Sequence, residues 1–226
     1  MRQKIELAAA ILVLAGLVFI SRTVSKYVVS EQVKNQKISI VLDPGHGGSD
    51  PGKIGVNDVE EKAVNLAIAE IVQELLKKEK IDVVMTRKED TMLTGPDGQV
   101  TKVGDMKARV ALINETAPVL AVSIHQNSYH QEGVKGAQVF YFSHSEEGKK
   151  AAELMQKSLL SLNTDNNRKA KANDSYYLLK RTEVPTIIVE CGFLSNWEEA
   201  ELLKDKEYQE NIAEAIVEGI KAYIEK

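Results

Sequence analysis

The stretch ISIVLDPGHGGSDPGKIG, Ile38 to Gly55, joins an apolar run to a loop with few side chains. Ile38–Asp43 reads as a buried strand, and Pro44–Gly45 ends it abruptly. Just past that break stands His46, flanked by Gly45 and by Gly47–Gly48. Glycines let a backbone turn tightly and leave the space beside an imidazole open. Taken alone, the segment is read equally well as a strand-terminating turn with a solvated histidine. The rest of the chain decides between the two.

Outward from this stretch, apolar runs alternate with helical patterns. Glu61–Lys78 carries Val64, Ile68, Ile71, Val72 and Leu75 on one stripe, which predicts a helix. Ile81–Thr86, Val119–Ile124, Ala137–Phe142 and Thr186–Val189 read as further strands, and Tyr176–Leu179 as a short one. Met106–Asn114, Glu147–Leu162, Trp197–Lys204 and Tyr208–Ile224 read as helices. Continuous apolar strands separated by helices predict an α/β domain, its sheet mainly parallel, twisted and covered on both faces. Two polar loops interrupt the pattern. Thr91–Lys102 is rich in turn residues. Asn163–Ser175 gathers Arg168, Lys169 and Lys171, either as solvated surface or as a basic rim for substrate carboxylates.

Composition narrows the classes. The 226 residues are 43% apolar and 27% charged, enough for one sizeable core. Cys191 is the only cysteine, so no intramolecular disulfide forms. Aromatics make up 5%, too few for broad stacking platforms. Six Lys/Arg and two Glu fall in residues 1–37, a net of +4, which leaves −8 for residues 38–226. An acidic body argues against nucleic acid as the partner. Met1-Arg2-Gln3-Lys4 is a basic leader, and Leu7–Ile20 follows it as fourteen uncharged residues. That length suits a signal-peptide core and is short for a full membrane span. Only the weak Thr23-Val24-Ser25 offers a cleavage site. We therefore expect residues 1–21 to be an export signal or an uncleaved membrane anchor, residues 22–37 a tether, and residues 38–226 the single folded domain.

Three predicted strands end in groups able to bind metal or move protons: His46, His125 and Glu190. In open α/β sheets ligands bind beyond the carboxyl ends of parallel strands. The chain has four histidines, and two of them fall at that edge. A catalytic zinc takes three protein ligands and keeps a fourth position open. Two imidazoles leave one carboxylate to find, and Glu60-Glu61 at the start of the first helix is the natural source. Acidic residues there also complement the helix dipole, and periodicity does not choose between the two. Glu190 would then be free to act as general base. The competing reading pairs it with a lysine such as Lys180. Asp43 either holds His46 through a hydrogen bond or caps the turn. His130 and His144 read as surface, and Cys191 as a packing residue.

Four segments, IVLDPGHGG, EEKAVNLA, SIHQNS and IIVECGFLSN, resemble in order and spacing the motifs of zinc-dependent N-acetylmuramoyl-L-alanine amidases of the Amidase_3 type. The resemblance runs from Ile38 to the C-terminus. It implies cleavage of the amide between the lactyl group of N-acetylmuramic acid and the L-alanine of the stem peptide, with peptidoglycan as substrate. It also implies His46, Glu61 and His125 as zinc ligands and Glu190 as the catalytic glutamate. Glu61 is selected because the family's ligand precedes the Asn-Leu pair, here Asn65-Leu66, by the same interval. Arg109 and Asn114 together also resemble the family's helix before the third strand. Gln126 departs from the small residue usual after the histidine, which bears on access beside His125. The short chain, its N-terminal segment and YLLKRTEVPTIIVECGFLSN are most similar to the sporulation members, which strip stem peptides from spore cortex so that muramic-δ-lactam can form. Another zinc peptidase, such as a carboxypeptidase, and a non-catalytic wall- or partner-binding domain are the alternatives. An accessory protein is not readable from the residues.

Overall fold

The computed structural model describes residues 39–163 and 165–225. The expected signal or anchor at 1–21 and the tether at 22–37 lie outside them. Six strands, β1 (Ser39–Pro44), β2 (Asp82–Met85), β3 (Leu120–Asn127), β4 (Gln138–Tyr141), β5 (Lys171–Ala172) and β6 (Thr186–Phe193), form one sheet in the order β2-β1-β3-β6-β4-β5. β2, β1, β3 and β6 run parallel, whereas β4 is antiparallel to β6 and carries β5 parallel to itself. The mainly parallel sheet is as expected, with its direction reversed at β4.

Alternation along the strands divides the core. Ile40 and Leu42 of β1, Val122 and Ile124 of β3, and Ile187 and Val189 of β6 face α1 (Glu61–Lys78), α3 (Glu146–Leu159) and α6 (Lys206–Ile224). The intervening Val41 and Ala121 face α2 (Lys102–Thr116) and α4 (Tyr177–Arg181) through Ile113 and Leu178. α5 (Trp197–Leu202) follows β6 and buries Ala200. Each fully buried Ile or Leu stabilises the fold by about 1.5–3 kcal/mol. Among the described residues no helix is long and apolar enough to cross a membrane.

Tyr176–Leu179, expected as a strand, is instead the start of a helix, and the additional strand is β5 within the polar loop. Leu178 and Leu179 are adjacent and both buried, one against Val41 and Ile113, the other against Phe140 and Ile188. A strand would send neighbours to opposite faces. A helical turn keeps both on this side of the sheet, closed by Lys180 N–H to Tyr176 O and Thr182 N–H to Leu178 O.

α1 has no side-chain N-cap. Its first donors are satisfied by the loop after His46: Glu61 N–H reaches Lys53 O and Lys62 N–H reaches Pro51 O. The loop that carries His46 and the first turn of α1 that carries Glu61 are thus joined by backbone hydrogen bonds.

Candidate active site

β1 extends one residue past its end, with Gly45 N–H bonded to Ile124 O, and then turns. His46 takes a left-handed conformation, φ 63°, which costs a non-glycine residue about 1–2 kcal/mol. Two buried arginines hold the turn from beneath. Arg109 donates to Pro44 O at 2.8 Å and His46 O at 2.7 Å, and Arg87 to Pro44 O and Gly45 O at 3.0 Å. The glycines have a steric reason. A Cβ on Gly45 would lie 2.2 Å from Cε1 of His125. One on Gly52, whose φ is +70°, would lie 2.5 Å from Glu61 Oε2 and 2.7 Å from the His46 ring. Side chains are missing where imidazoles and carboxylate need the room.

His46, Glu61 and His125 offer donor atoms that all lie within 4.8 Å of one another. Glu61 Oε1 stands 2.9 Å from Nδ1 of His125 and 3.2 Å from Nε2 of His46, while Oε2 accepts Lys53 N–H at 2.8 Å. Burial opposes ionisation of Glu61, but its hydrogen bonds and charge contacts with the two histidines outweigh that and hold it far below the usual carboxylate range. Burial likewise pushes the His125 imidazole down, and Glu61 more than restores it, so its pKa lies above the ordinary value. His46 Nδ1 faces Asp50 Oδ2 at 2.9 Å, and Asp50 in turn meets Lys102. When Nδ1–H donates to Asp50, Nε2 presents its lone pair toward Glu61. Lone pairs from two imidazoles and a carboxylate converging on one spot fit a divalent cation, and two N and one O donor suit zinc.

Glu60 takes no part. It is exposed, 3.4 Å from Lys62. Asp43 does not hold His46, as one reading of the sequence had it. It points toward α2 and accepts from Arg109, Thr86 and Ser123 at 2.6–2.7 Å, because the left-handed turn carries His46 away from it. Asp50, four residues after His46, has that role. Gln126 does not crowd His125. It points to the opposite face of β3 and donates to Asn65 Oδ1 at 3.2 Å. Asn114 bonds Arg181 O and Glu183 N–H rather than anything beside Arg109. His130 and His144 are exposed, and Cys191 is buried.

Glu190 pairs in register with His125 across β6 and β3. Its Oε1 accepts the Tyr176 hydroxyl at 3.3 Å, and its Oε2 is buried with no hydrogen-bond partner among the described residues. Burial, reinforced by the charge of Glu61, pushes its carboxyl up to about 7 against the opposing pull of His125 and Tyr176. Among the described residues Lys180, the competing partner considered from sequence, forms no ion pair with Glu190, whose polar neighbour is Tyr176. Tyr176 was missed because nothing in its local sequence distinguishes it from a packing aromatic. Asp50 was missed as well, although it lies only four residues after His46.

Three side chains able to bind a metal ion or move protons meet a buried, half-satisfied carboxylate at the carboxyl edge of a mainly parallel sheet, an arrangement suited to hydrolytic chemistry. Residues 40–222 match the Amidase_3 family, and the chain belongs to it: the N-acetylmuramoyl-L-alanine amidases, enzymes of peptidoglycan. It is 39% identical over 188 residues to the germination-specific N-acetylmuramoyl-L-alanine amidase of Bacillus subtilis (strain 168), covering 81% of this chain and 78% of that one. Its fold is similar to that of the CwlD amidase of Clostridioides difficile, solved in complex with the GerS lipoprotein, at a TM-score of 0.79 and 37% identity, covering 83% of this chain and 98% of that one. The catalytic domain of CwlV from Bacillus (Paenibacillus) polymyxa var. colistinus is also similar, at a TM-score of 0.74 and 30% identity, with 83% and 98% covered.

Proposed function

We propose that this amidase is zinc-dependent, with His46, Glu61 and His125 as ligands and Glu190 as the proton carrier, and that it removes stem peptides from spore cortex. The observation that carries the reading is the buried, unpartnered Oε2 of Glu190 beside three converging donors. When bound, zinc polarises a carbonyl and makes water acidic near neutral pH. Water adds through oxygen to the lactyl carbonyl carbon while Glu190 Oε2 receives its proton. The protonated carboxyl then returns that proton to the alanine nitrogen as the C–N bond breaks. The products are a lactyl carboxylate and a peptide with a free L-alanine amino end. Tyr176 occupies Oε1 and so leaves Oε2 to the proton. A carboxyl raised to about 7 by burial suits an exchange made in both directions.

The cortex assignment is supported by the likeness to the germination-specific enzyme. Export is part of the same reading, with residues 1–21 as signal or anchor and a protein partner outside the membrane, as the lipoprotein-bound CwlD suggests for its own case.

Glu190→Gln keeps the shape and removes the basic oxygen. The zinc-loaded variant, given glycan strands with attached stem peptides, should keep its zinc and lose at least about a hundredfold in new L-alanine amino groups. Near-normal rate with zinc retained would remove Glu190 from the chemistry. Loss of zinc would make it a ligand instead.

A further inference from the structure

The row that strand register assembles continues beyond Glu190. β6 pairs Glu190 with His125 on one side and with Gln138 of β4 on the other. Residues opposite one another in a sheet present side chains on the same face. Ile188 and Phe140, the preceding register pair on that face, do pack together. His125, Glu190 and Gln138 therefore stand in line.

Next along the line is Arg168. Its Nη1 donates to Gln138 Oε1 at 3.1 Å, its Nε donates to Lys135 O at 2.8 Å, and its guanidinium lies 4.8 Å above the Phe193 ring. A long side chain that would otherwise keep much rotamer freedom is held at three points. All three partners are neutral. Among the described residues no carboxylate forms an ion pair with Arg168, and its Nη2 donates to no group. Glu199, which feels its charge, gives both oxygens to the N–H groups of Gly136 and Phe193. If Arg168 only tied down its loop, the two bonds it makes would suffice, and its charge would act only at a distance on Glu199. A planar guanidinium with a free edge is matched instead to a carboxylate. Lys169 and Lys171 are exposed and have no comparable fixation.

One strand spacing of about 4.8 Å, plus the length of the Gln138 side chain, puts the guanidinium on the order of 10 Å from Glu190. An extended peptide covers about 3.3–3.6 Å per residue. We propose that Arg168 is an anion subsite that takes a free carboxylate of the stem peptide about two to three residues beyond the scissile amide. This rests on the amidase reading above and adds to it a preference among peptides.

The test uses the zinc-loaded full chain and two synthetic muramoyl tripeptides, one with its peptide carboxylates free and one with each converted to carboxamide. The unmodified chain should favour the free acid by about tenfold in kcat/KM, the factor that 1.4 kcal/mol represents, with most of the difference in KM. In Arg168→Gln the ratio should fall to near one, and Arg168→Lys should retain part of it. Binding of both compounds to Glu190→Gln, with and without Arg168→Gln, should show the same ratios without turnover. Equal use of the two compounds by the unmodified chain overturns the proposal. So does a tenfold preference that survives Arg168→Gln, or an equal loss on both compounds. If the unmodified chain cleaves neither these compounds nor glycan strands with attached stem peptides, the amidase reading itself fails, and the subsite with it; if it cleaves the strands alone, the binding ratios in Glu190→Gln decide the subsite.

Discussion

Glu60 and Glu61 are adjacent and chemically identical, yet one is exposed beside Lys62 and the other is buried between two imidazoles. Glu60 is the extended N-cap residue and Glu61 the first of the helix, so the change of backbone conformation between them sends one carboxylate to solvent and the other to the site. The same residue-scale economy places Gln126 on the far face of β3 from His125. Metal content follows from these orientations. His125→Ala and Glu61→Gln should each lose most of their zinc, by more than the 10–100-fold that outer hydrogen-bond partners are worth. Glu60→Gln should bind zinc as the unmodified chain does. Metal analysis of the purified, zinc-equilibrated chains decides this, and the reverse result for the two glutamates would sink the assignment of Glu61.

At the scale of elements, β1 and α2 are joined under the His46 turn by Asp43, Arg109 and Asp105, with Arg109 1% exposed. Burial pushes the Asp43 carboxyl up, but the charge of Arg109 and hydrogen bonds from Ser123, Thr86 and Arg109 overcome it and hold it at about 2. A folded pKa below the unfolded one contributes stability that is fully present above about 3.8 and is lost as pH falls through about 2. The contribution is about 2 kcal/mol. Asp43→Asn should cost about 3–5 kcal/mol near neutrality, because it leaves a buried guanidinium without its full complement. In urea unfolding, the gap between Asp43→Asn and the unmodified chain should narrow by about 2 kcal/mol between pH 5 and pH 2. A gap independent of pH would mean that Asp43 acts through shape rather than charge.

For the whole molecule, the described residues 39–163 and 165–225 supply the strands, both helical layers and the site. Charge divides in the same place, with a basic segment before residue 38 and an acidic body after it. A chain beginning at Val28 should therefore be folded and soluble without detergent. Circular dichroism and gel filtration measure this. Aggregation of the shortened chain, with the full chain well behaved in the same buffer, would show that residues 1–27 belong to the core and would end the export reading.

By itself the sequence determined most of the strands and helices, the covered and mainly parallel sheet, and the grouping of His46, His125 and Glu190 toward the carboxyl ends of their strands, although β3 and β6 run on past His125 and Glu190. Those are local signals: the length and period of apolar runs report burial along the chain, and Pro-Gly breaks report where a strand must stop. The four motifs carried Glu61 by resemblance, where periodicity alone left Glu60 level with it. Only the tertiary structure decided that Asp50 rather than Asp43 holds His46, that Tyr176 opens a helix and meets Glu190, that β4 runs antiparallel, and that Arg168 extends the catalytic row. Apart from the Asp50–His46 contact, which the turn itself sets, each depends on the phase of a helix or the register of a strand against partners 14–80 residues away. Such phases follow from packing between distant segments, which no local pattern in the chain encodes.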